Sequence, residues 1–295
     1  DDTEGGYLVE RRIGKEIYQM MYQSSILLPK CSSTEVGPNQ NGMKINQVNE
    51  TARSNTSLFG GIRVYSPDEG ATKTAFIQKY AQVDIPLGKY AAVNYMTDEM
   101  WQDRVGYVNY MRQNVGPAIA WYVDDDILHG TTNARMIEIE NHAATVQVNV
   151  AGANPTAAEL MNMYTAMAPM AIGGAEWYMS LTQYAAISQL ESTAGVRIVQ
   201  PNYVISPYGT LLGKPINIIE QADVDANDTS IMFLNLKWYL VLTKGKLQEA
   251  SSIHVRFLED ESCFRWVLRL AGSPKLASTV TLPNGSIVSP FVTRN

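Results

Sequence analysis

The most acidic run of the chain is Asp124-Asp125-Asp126, and His129 follows three residues later. Carboxylate and imidazole groups are metal ligands, so this run is the first candidate for a site with chemistry. The run falls near the end of a predicted helix, where consecutive side chains point about 100° apart and cannot converge on one ion. We therefore interpret it as a solvated helix end.

The other candidates for chemistry are weaker. The stretch GATKT at 70–74 lacks the Gly-Lys pair and the preceding apolar strand of a phosphate-binding loop. The three histidines, His129, His142 and His254, lie in different segments without the spacing of a metal site, and no GxSxG or GxGxxG motif occurs. We predict no catalytic residue, no metal site and no cofactor, and hence a protein that is not an enzyme.

Composition restricts the partners. The 295 residues carry a net charge of −6 and no block of Lys and Arg, which argues against nucleic-acid binding through phosphate neutralisation. No apolar run approaches the roughly 20 residues that span a bilayer, so we expect no membrane partner. Cys31 and Cys263 are far apart and are typical of reduced thiols, with one disulfide as the alternative.

The elements that would position these residues follow from periodicity. Residues 7–28 are weakly amphipathic, 31–61 are polar and loop-like, and 62–96 alternate as β-strands do. The longest helical pattern lies between 101 and 130, and Pro117 inside it predicts a bend rather than two helices. Its apolar stripe consists of Trp101, Val105, Val108, Met111, Val115, Ile119 and Tyr122.

The second half mixes short helices and strands. We predict a helix over 156–170 with Thr156 as its N-cap, and a strand followed by a helix that Ser180 caps and Gly195 ends. Two later β runs are expected on either side of a turn at Lys244-Gly245-Lys246. This mixture predicts the α+β class.

Two segments lack a face apolar enough to bury by itself, namely residues 1–30 and 50–85. Strands of this kind need another surface to pack against. We expect these segments to lie against another surface.

An ordered set of motifs resembles the major capsid proteins of tailed bacteriophages, which have the Hong Kong 97-like fold. The set begins with EGGYLV and continues with SPDEGATKTAFIQKYAQVDIPLGKYAAVNYMTDEMWQD, AIAWYVDDDILHGT, WYMSLTQYAAISQLESTAG and IMFLNLKWYLVLTKGKLQEASSIHVRFLEDESCFRWVLRL. Individual positions that match are Glu69, Gly70, Thr97, Glu99, Asp103, Leu211, Gly213, Pro215 and Ile216. The set covers nearly the whole chain.

The resemblance also has departures. Glu10 follows Val9 where Pro is common in the family. Cys263 lies near the place where some members have an Asn that joins subunits covalently. A Lys–Asn cross-link is therefore in doubt for this chain.

The resemblance implies five segments. They are an N-terminal arm and first helix (1–49), an extended β-hairpin loop (50–85), a peripheral domain with a long spine helix (86–150), an axial domain (151–243) and return strands of the peripheral domain (244–295). Fold-motif positions implied by it are Gly130, Trp177, Gly195, Gly213 and Pro215. Candidate contacts between subunits are Tyr7, Arg11, Arg12, Asp68, Glu69, Lys73, Phe76 and Lys79.

The implied function is that of a structural protein which self-assembles, as pentamers and hexamers, into an icosahedral shell around double-stranded DNA. Further partners would be a portal and, as additional candidates, decoration or scaffold proteins. The acidic balance suits weak contact with packaged DNA. The protein would be located in the virion capsid, after assembly in the cytoplasm of a bacterial host.

Two alternatives stay open. An encapsulin, the shell protein of a bacterial nanocompartment, has the same fold and holds cargo enzymes. An unrelated α+β enzyme or binding protein is the other.

The start at Asp1 also has two interpretations. Either the numbering omits an earlier segment, or a protease made this end, and no secretory signal follows it. The resemblance favours the second, because a maturation protease removes a scaffolding segment from many family members.

Overall fold

The structure is a computed structural model. It describes residues 24–48, 62–64, 66, 68–70, 72, 75–97, 99, 105–130, 136–149, 154–191, 197, 199–200, 208–223 and 231–294. The described residues fall into two compact units, which are treated separately below. Unit 1 consists of the described residues within Asp1–Met43, Ile85–Ile137 and Leu240–Ser273. Unit 2 consists of the described residues within Lys44–Asp84, Glu138–Tyr239 and Pro274–Asn295.

Helices and strands are mixed along the chain, as the α+β prediction requires, and that prediction is confirmed. The helices are α1 (Val105–His129), α2 (Ala157–Ala166) and α3 (Leu181–Ser188). The strands are β1 (Ser32–Glu35), β2 (Gly42–Val48), β3 (Tyr80–Pro86), β4 (Tyr90–Thr97), β5 (Thr145–Val148), β6 (Glu176–Met179), β7 (Val199–Gln200), β8 (Thr210–Leu211), β9 (Lys214–Ile218), β10 (Ile231–Leu234), β11 (Tyr239–Arg256), β12 (Glu261–Pro274), β13 (Val280–Thr281), β14 (Ile287–Val288) and β15 (Phe291–Arg294).

Unit 1 combines α1 with a four-stranded sheet in the order β1-β11-β12-β4. β1 runs parallel to β11, with Ser32 beside Leu240, and β12 runs antiparallel to β4, with Leu268 beside Tyr90. Phe264, Trp266, Leu268 and Leu270 alternate along β12 and are buried on one face. Between them, Arg265 is exposed and Arg269 is half-buried, while Val267 is buried, so the opposite face of the sheet is only partly open.

The long predicted helix is confirmed as one continuous element, α1, which passes through Pro117. Val115, Ile119, Ala120, Val123, Ile127 and Leu128 form its buried stripe. The predicted stripe was wrong at Tyr122, whose side chain is 62% exposed, because the stripe continues through Val123 instead.

Gly130 ends this helix, as predicted. Its N–H donates to the carbonyl of Asp126 at 3.0 Å. A Cβ atom at this position would lie 2.3 Å from that carbonyl oxygen and 2.6 Å from the carbonyl oxygen of Met136. The chain therefore needs a residue without a side chain here.

Unit 2 is built on a seven-stranded mixed sheet in the order β5-β15-β10-β6-β9-β8-β7. Both of its helices start at caps that the sequence predicted. Thr156 and Glu159 form a capping box at α2, and the Ser180 hydroxyl accepts from the N–H of Gln183 at α3. α2 ends at Ala166, earlier than the predicted 170.

Trp177 lies at the centre of the unit 2 core. Its ring stacks on Phe233 with centroids 4.3 Å apart, and its Nε1 donates to the carbonyl of Leu211 at 3.0 Å. A two-residue turn with positive φ at Leu212 and Gly213 then returns the chain into β9. That turn type matches the natural twist of a hairpin and explains the glycine.

Two further sequence-based predictions concern the end of the chain. The predicted turn at Lys244-Gly245-Lys246 is wrong, because β11 runs through it and Gly245 adopts a φ of +65° inside the strand. The break between β runs falls instead at the 3-10 turn Leu236–Trp238. Within the predicted last segment, 244–295, the chain belongs to unit 1 up to Ser273 and to unit 2 from Pro274 onward. The role of this segment as return strands of the peripheral domain stays a prediction.

No helix within the described ranges is long and apolar enough to cross a bilayer.

Candidate functional site

The acidic run on α1 is mostly used for internal contacts. Asp124 is only 3% exposed and accepts four hydrogen bonds from the chain that precedes β1. Ser25 Oγ donates to it at 2.5 Å, and the backbone N–H groups of Ile26, Leu27 and Leu28 donate at 2.8, 3.2 and 3.2 Å. The prediction of a solvated helix end is therefore wrong for Asp124.

Burial raises the pKa of Asp124, and the four donated hydrogen bonds act in the opposite direction. The donors replace the water that the carboxyl group loses, which is why a polar side chain can lie here. Asp124 thus fixes residues 25–28 to α1 within unit 1.

The neighbouring acids also have partners within unit 1. Asp126 accepts from the hydroxyl of Tyr90 at 2.5 Å, which links α1 to β4, and Asp125 lies 3.1 Å from Nδ1 of His129. Within the ranges that the structure describes, no group of three or more His, Cys, Asp or Glu side chains is placed to hold a metal ion. The run is an anchor for the fold.

Strands β2 and β3 pair with each other and form the base of the extended loop. Across this base, Gln82 Nε2 donates to Asn46 Oδ1 at 2.9 Å, and Lys44 Nζ lies 3.7 Å from Asp84. Residues 49–79 connect the two strands. Of the predicted extended β-hairpin loop, 50–85, the structure therefore describes strand β3 and part of the segment that connects β2 to it.

Most described residues of the segment between β2 and β3 are exposed, and Ile62 and Gln78 are half-buried. Asp68, Glu69, Phe76 and Lys79, all predicted contact residues, have exposed side chains. Tyr7, Arg11, Arg12 and Lys73 lie outside the described residues, as does Gly195 from the fold motifs. The structure brings none of the described candidates together into a pocket.

Large apolar side chains accompany these charges in the loop. Val64, Ile77 and Tyr80 are 81%, 87% and 66% exposed. A single exposed apolar residue is ordinary, but several in one segment are typical of an interaction surface.

A second exposed surface was missed from the sequence. It is the tip of the β11–β12 hairpin, where Ile253, Val255 and Leu258 are all exposed, Leu258 at 97%. The alternation of Ile253 and Val255 was the available signal, but it equally fits a strand with a buried face.

One arginine holds this tip in place. The guanidinium of Arg256 lies 4.2 Å from the ring centroid of Tyr95, 2.8 Å from Glu261 and 3.1 Å from Glu259. The hydrogen bond from Arg256 to Glu261 and the nearby Glu259 raise the pKa of Arg256. The tip therefore presents its apolar side chains from an ordered base.

The comparison with protein-family models identifies one family. A family model described as the phage capsid family matches residues 5–284. No curated protein matches the chain.

Solved capsid structures share the fold. The capsid of a native GTA particle is 14% identical with a TM-score of 0.69, covering 99% of this chain and 97% of that chain. The capsid of an empty GTA particle is 14% identical with a TM-score of 0.66, and the match covers 92% of this chain and 89% of that chain. A structure from Mycobacterium phage Adephagia is 12% identical with a TM-score of 0.64, and the match covers 92% of this chain and 90% of that chain.

Proposed function

The chain belongs to the phage capsid family and is a structural major capsid protein of an icosahedral shell, and we propose that pentamers and hexamers of it enclose double-stranded DNA. The observation that carries this proposal is the family match over residues 5–284, which spans nearly the whole chain rather than one motif. The exposed apolar side chains of the loop and of the β11–β12 tip support it, because assembly would cover them.

The test is assembly of the purified chain. Negative-stain images should contain closed icosahedral particles, and sedimentation should show large species. A compact species near 32.7 kDa as the sole product would contradict the proposal. Particles from infected cells should protect double-stranded DNA from nuclease, whereas particles filled with cargo enzymes would indicate a nanocompartment.

We further propose that the loop between β2 and β3 is a strap laid on a neighbouring subunit. Its described residues supply both apolar surface, from Val64, Phe76 and Ile77, and charge, from Asp68 and Lys79. A projecting segment of this kind stays hydrated in a lone subunit and gains stability only when another surface covers it.

Packaged DNA is proposed to be held weakly. The net charge of −6 disfavours tight phosphate binding, and a wall that bound DNA tightly would hinder packaging and release. A portal is a further proposed partner, with decoration or scaffold proteins as additional candidates, and assembly is proposed to occur in the bacterial cytoplasm.

A further inference from the structure

Two Asn-Gly pairs occur in the chain, Asn41-Gly42 and Asn284-Gly285. Such a pair can react with itself, because glycine has no Cβ atom to keep its backbone nitrogen away from the side-chain amide of the preceding asparagine. Asn41 is exposed and directly precedes β2, and Asn284 is exposed in the turn between β13 and β14. The surroundings of the two pairs differ, and the differences favour reaction at Asn41.

The first difference concerns the oxygen of the side-chain amide. Arg269 Nη2 donates to Asn41 Oδ1 at 2.6 Å. A guanidinium group draws electron density from the carbonyl that it contacts, and it stabilises the negative charge which the oxygen gains when a nucleophile attacks Cγ. Asn284 Oδ1 instead accepts from the neutral backbone N–H of Ser286, at 3.1 Å. The amide of Asn41 is therefore the better electrophile.

The second difference concerns the attacking nitrogen. Asn46 of β2 accepts from Gln82 of β3. Asn41, earlier in the chain, accepts from the N–H of Leu87, later in the chain, at 3.0 Å, so the two strands run antiparallel. Hydrogen-bonded and non-hydrogen-bonded positions alternate along such a pair, so the N–H of Gly42 points away from β3. No other described strand pairs with β2, and the ladder therefore leaves this nitrogen available.

The corresponding nitrogen of the other pair is engaged, because the N–H of Gly285 donates to the carbonyl of Leu282 at 2.9 Å. The fold also requires the glycine of the first pair. A Cβ atom on Gly42 would lie 2.6 Å from the carbonyl oxygen of Ile85 and 3.1 Å from Cα of Pro86. A side chain here would displace backbone, so the packing of β2 on β3 retains a residue that favours the reaction.

We propose that Asn41-Gly42 is a site of spontaneous covalent modification. The nitrogen of Gly42 loses its proton to hydroxide and forms a bond to Cγ of Asn41. The bond from Cγ to Nδ2 breaks, and Nδ2 takes up a proton from water and leaves as ammonia. Water then opens the cyclic imide, either at Cγ, which gives aspartate, or at the backbone carbonyl of residue 41, which gives isoaspartate. Water is the sole co-reactant, and nothing is oxidised or reduced.

The products change the contact with β12. Opening at Cγ leaves a carboxylate next to the guanidinium of Arg269, so a hydrogen bond to a neutral amide becomes an ion pair. Opening at the backbone carbonyl lengthens the main chain directly before β2. Either product makes the net charge of −6 more negative. The inference does not rest on the proposed function, because the reaction takes place within one chain.

Mass spectrometry of the purified full chain, aged in buffer, tests the proposal. Trypsin places Asn41 in the peptide Cys31–Lys44 and Asn284 in Leu276–Arg294, and fragmentation locates the exchange of NH₂ for OH. Fresh protein digested in parallel is the blank. We expect Asn41 to convert several-fold faster than Asn284 and faster at higher pH, because the nucleophile is the deprotonated nitrogen. Conversion of Asn41 no faster than that of Asn284 would overturn the inference.

Arg269→Gln tests the role of the guanidinium, since it keeps a hydrogen-bond donor and removes the charge. The rate constant at Asn41 should fall roughly tenfold, less than the roughly 100-fold or more that a buried oxyanion donor contributes. Arg269→Lys should recover part of the rate. Arg265→Gln, the same change at another arginine of β12, is the matched control and should leave the rate unchanged. An unchanged rate in Arg269→Gln, or an equal fall in Arg265→Gln, would refute the role of Arg269.

Unfolding in urea supplies a test that does not depend on the folding of any variant. The unfolded wild-type chain loses the contact with Arg269 and the pairing of β2 with β3, so Asn41 and Asn284 should convert at similar rates. The excess rate at Asn41 should therefore disappear. Persistence of the whole excess in urea would show that the neighbouring sequence causes it, and would overturn the structural basis of the site.

Discussion

Unit 2 uses large apolar side chains in two opposite ways. In the seven-stranded sheet, Trp177 and Phe233 are fully buried and stacked against each other. In the loop based on β2 and β3, Ile77 and Tyr80 project into solvent. The sheet completes its burial within one subunit, whereas the loop leaves its apolar surface for another surface to cover. Under the proposed function, the sheet serves folding and the loop serves assembly, so the two tasks fall to different segments of the same unit.

The largest effect is expected in the sheet core. Trp177→Ala should destabilise the protein by about 3–5 kcal/mol, because it removes the stacked ring and leaves a cavity. Thermal unfolding and soluble yield measure this loss. Met170→Ala, an exposed position of the same unit, is the control and should change stability by less than about 0.5 kcal/mol. Equal losses of stability in the two variants would contradict the distinction between buried and exposed apolar residues in this unit.

The next effect is expected at the anchor on α1. Asp124→Ala leaves buried N–H donors without an acceptor and should cost about 2–3 kcal/mol in unfolding experiments. Asp125→Asn, at the half-buried neighbour, is the control and should cost less than about 0.5 kcal/mol. If Asp124→Ala proves as mild as its control, the anchoring role is refuted.

The pH dependence of Asp124 sharpens this prediction. Burial raises its pKa in the folded state, so the folded protein binds the proton more tightly than the unfolded chain does. The contribution of Asp124 to the free energy of unfolding is complete at pH values below the ordinary pKa of an aspartic acid. It is lost as the pH rises through the pKa that Asp124 has in the folded protein. The stability of the wild type relative to Asp124→Asn should therefore decrease as the pH rises, and a constant difference would contradict the raised pKa.

A smaller effect on folding is expected at the β11–β12 tip. Leu258→Asp should change subunit stability by less than about 0.5 kcal/mol, because the side chain is already exposed. Shells should nevertheless dissociate at lower denaturant concentration, as followed by light scattering. Shells of unchanged stability would exclude the tip from the interface.

The smallest effect concerns the base of the loop. Lys44 and Asp84 form an exposed pair at 3.7 Å, and such pairs contribute about 0–1 kcal/mol. A double-mutant cycle with Lys44→Ala and Asp84→Ala should give a coupling energy in that range. A coupling above about 2 kcal/mol would show that the base is more than an exposed strand pair.

Local chemistry made part of the fold predictable. Thr156 and Ser180 precede helices in the pattern that N-caps require, and Gly130 follows the last turn of α1. These features depend on residues three or four positions apart. The family resemblance then supplied the order of the elements, which periodicity alone does not specify.

Contacts between residues far apart in the sequence were the part of the fold that could not be predicted. Asp124 can be buried because Ser25, about a hundred residues away, donates to it, and nothing near Asp124 in the sequence indicates that partner. Gly245 was interpreted as a turn because Lys-Gly-Lys has the composition of one, yet neighbouring strands hold it within β11.

Removal of Pro67–Phe76 tests most directly whether the loop serves assembly rather than folding. The shortened chain and the wild type should be compared by circular dichroism and by sedimentation at matched concentration. We expect the two spectra and thermal unfolding curves to agree, because the described part of this segment is exposed, while the shortened chain forms no shells or shells that fall apart in mild denaturant. Shells of wild-type stability from the shortened chain would contradict the division between folding and assembly segments.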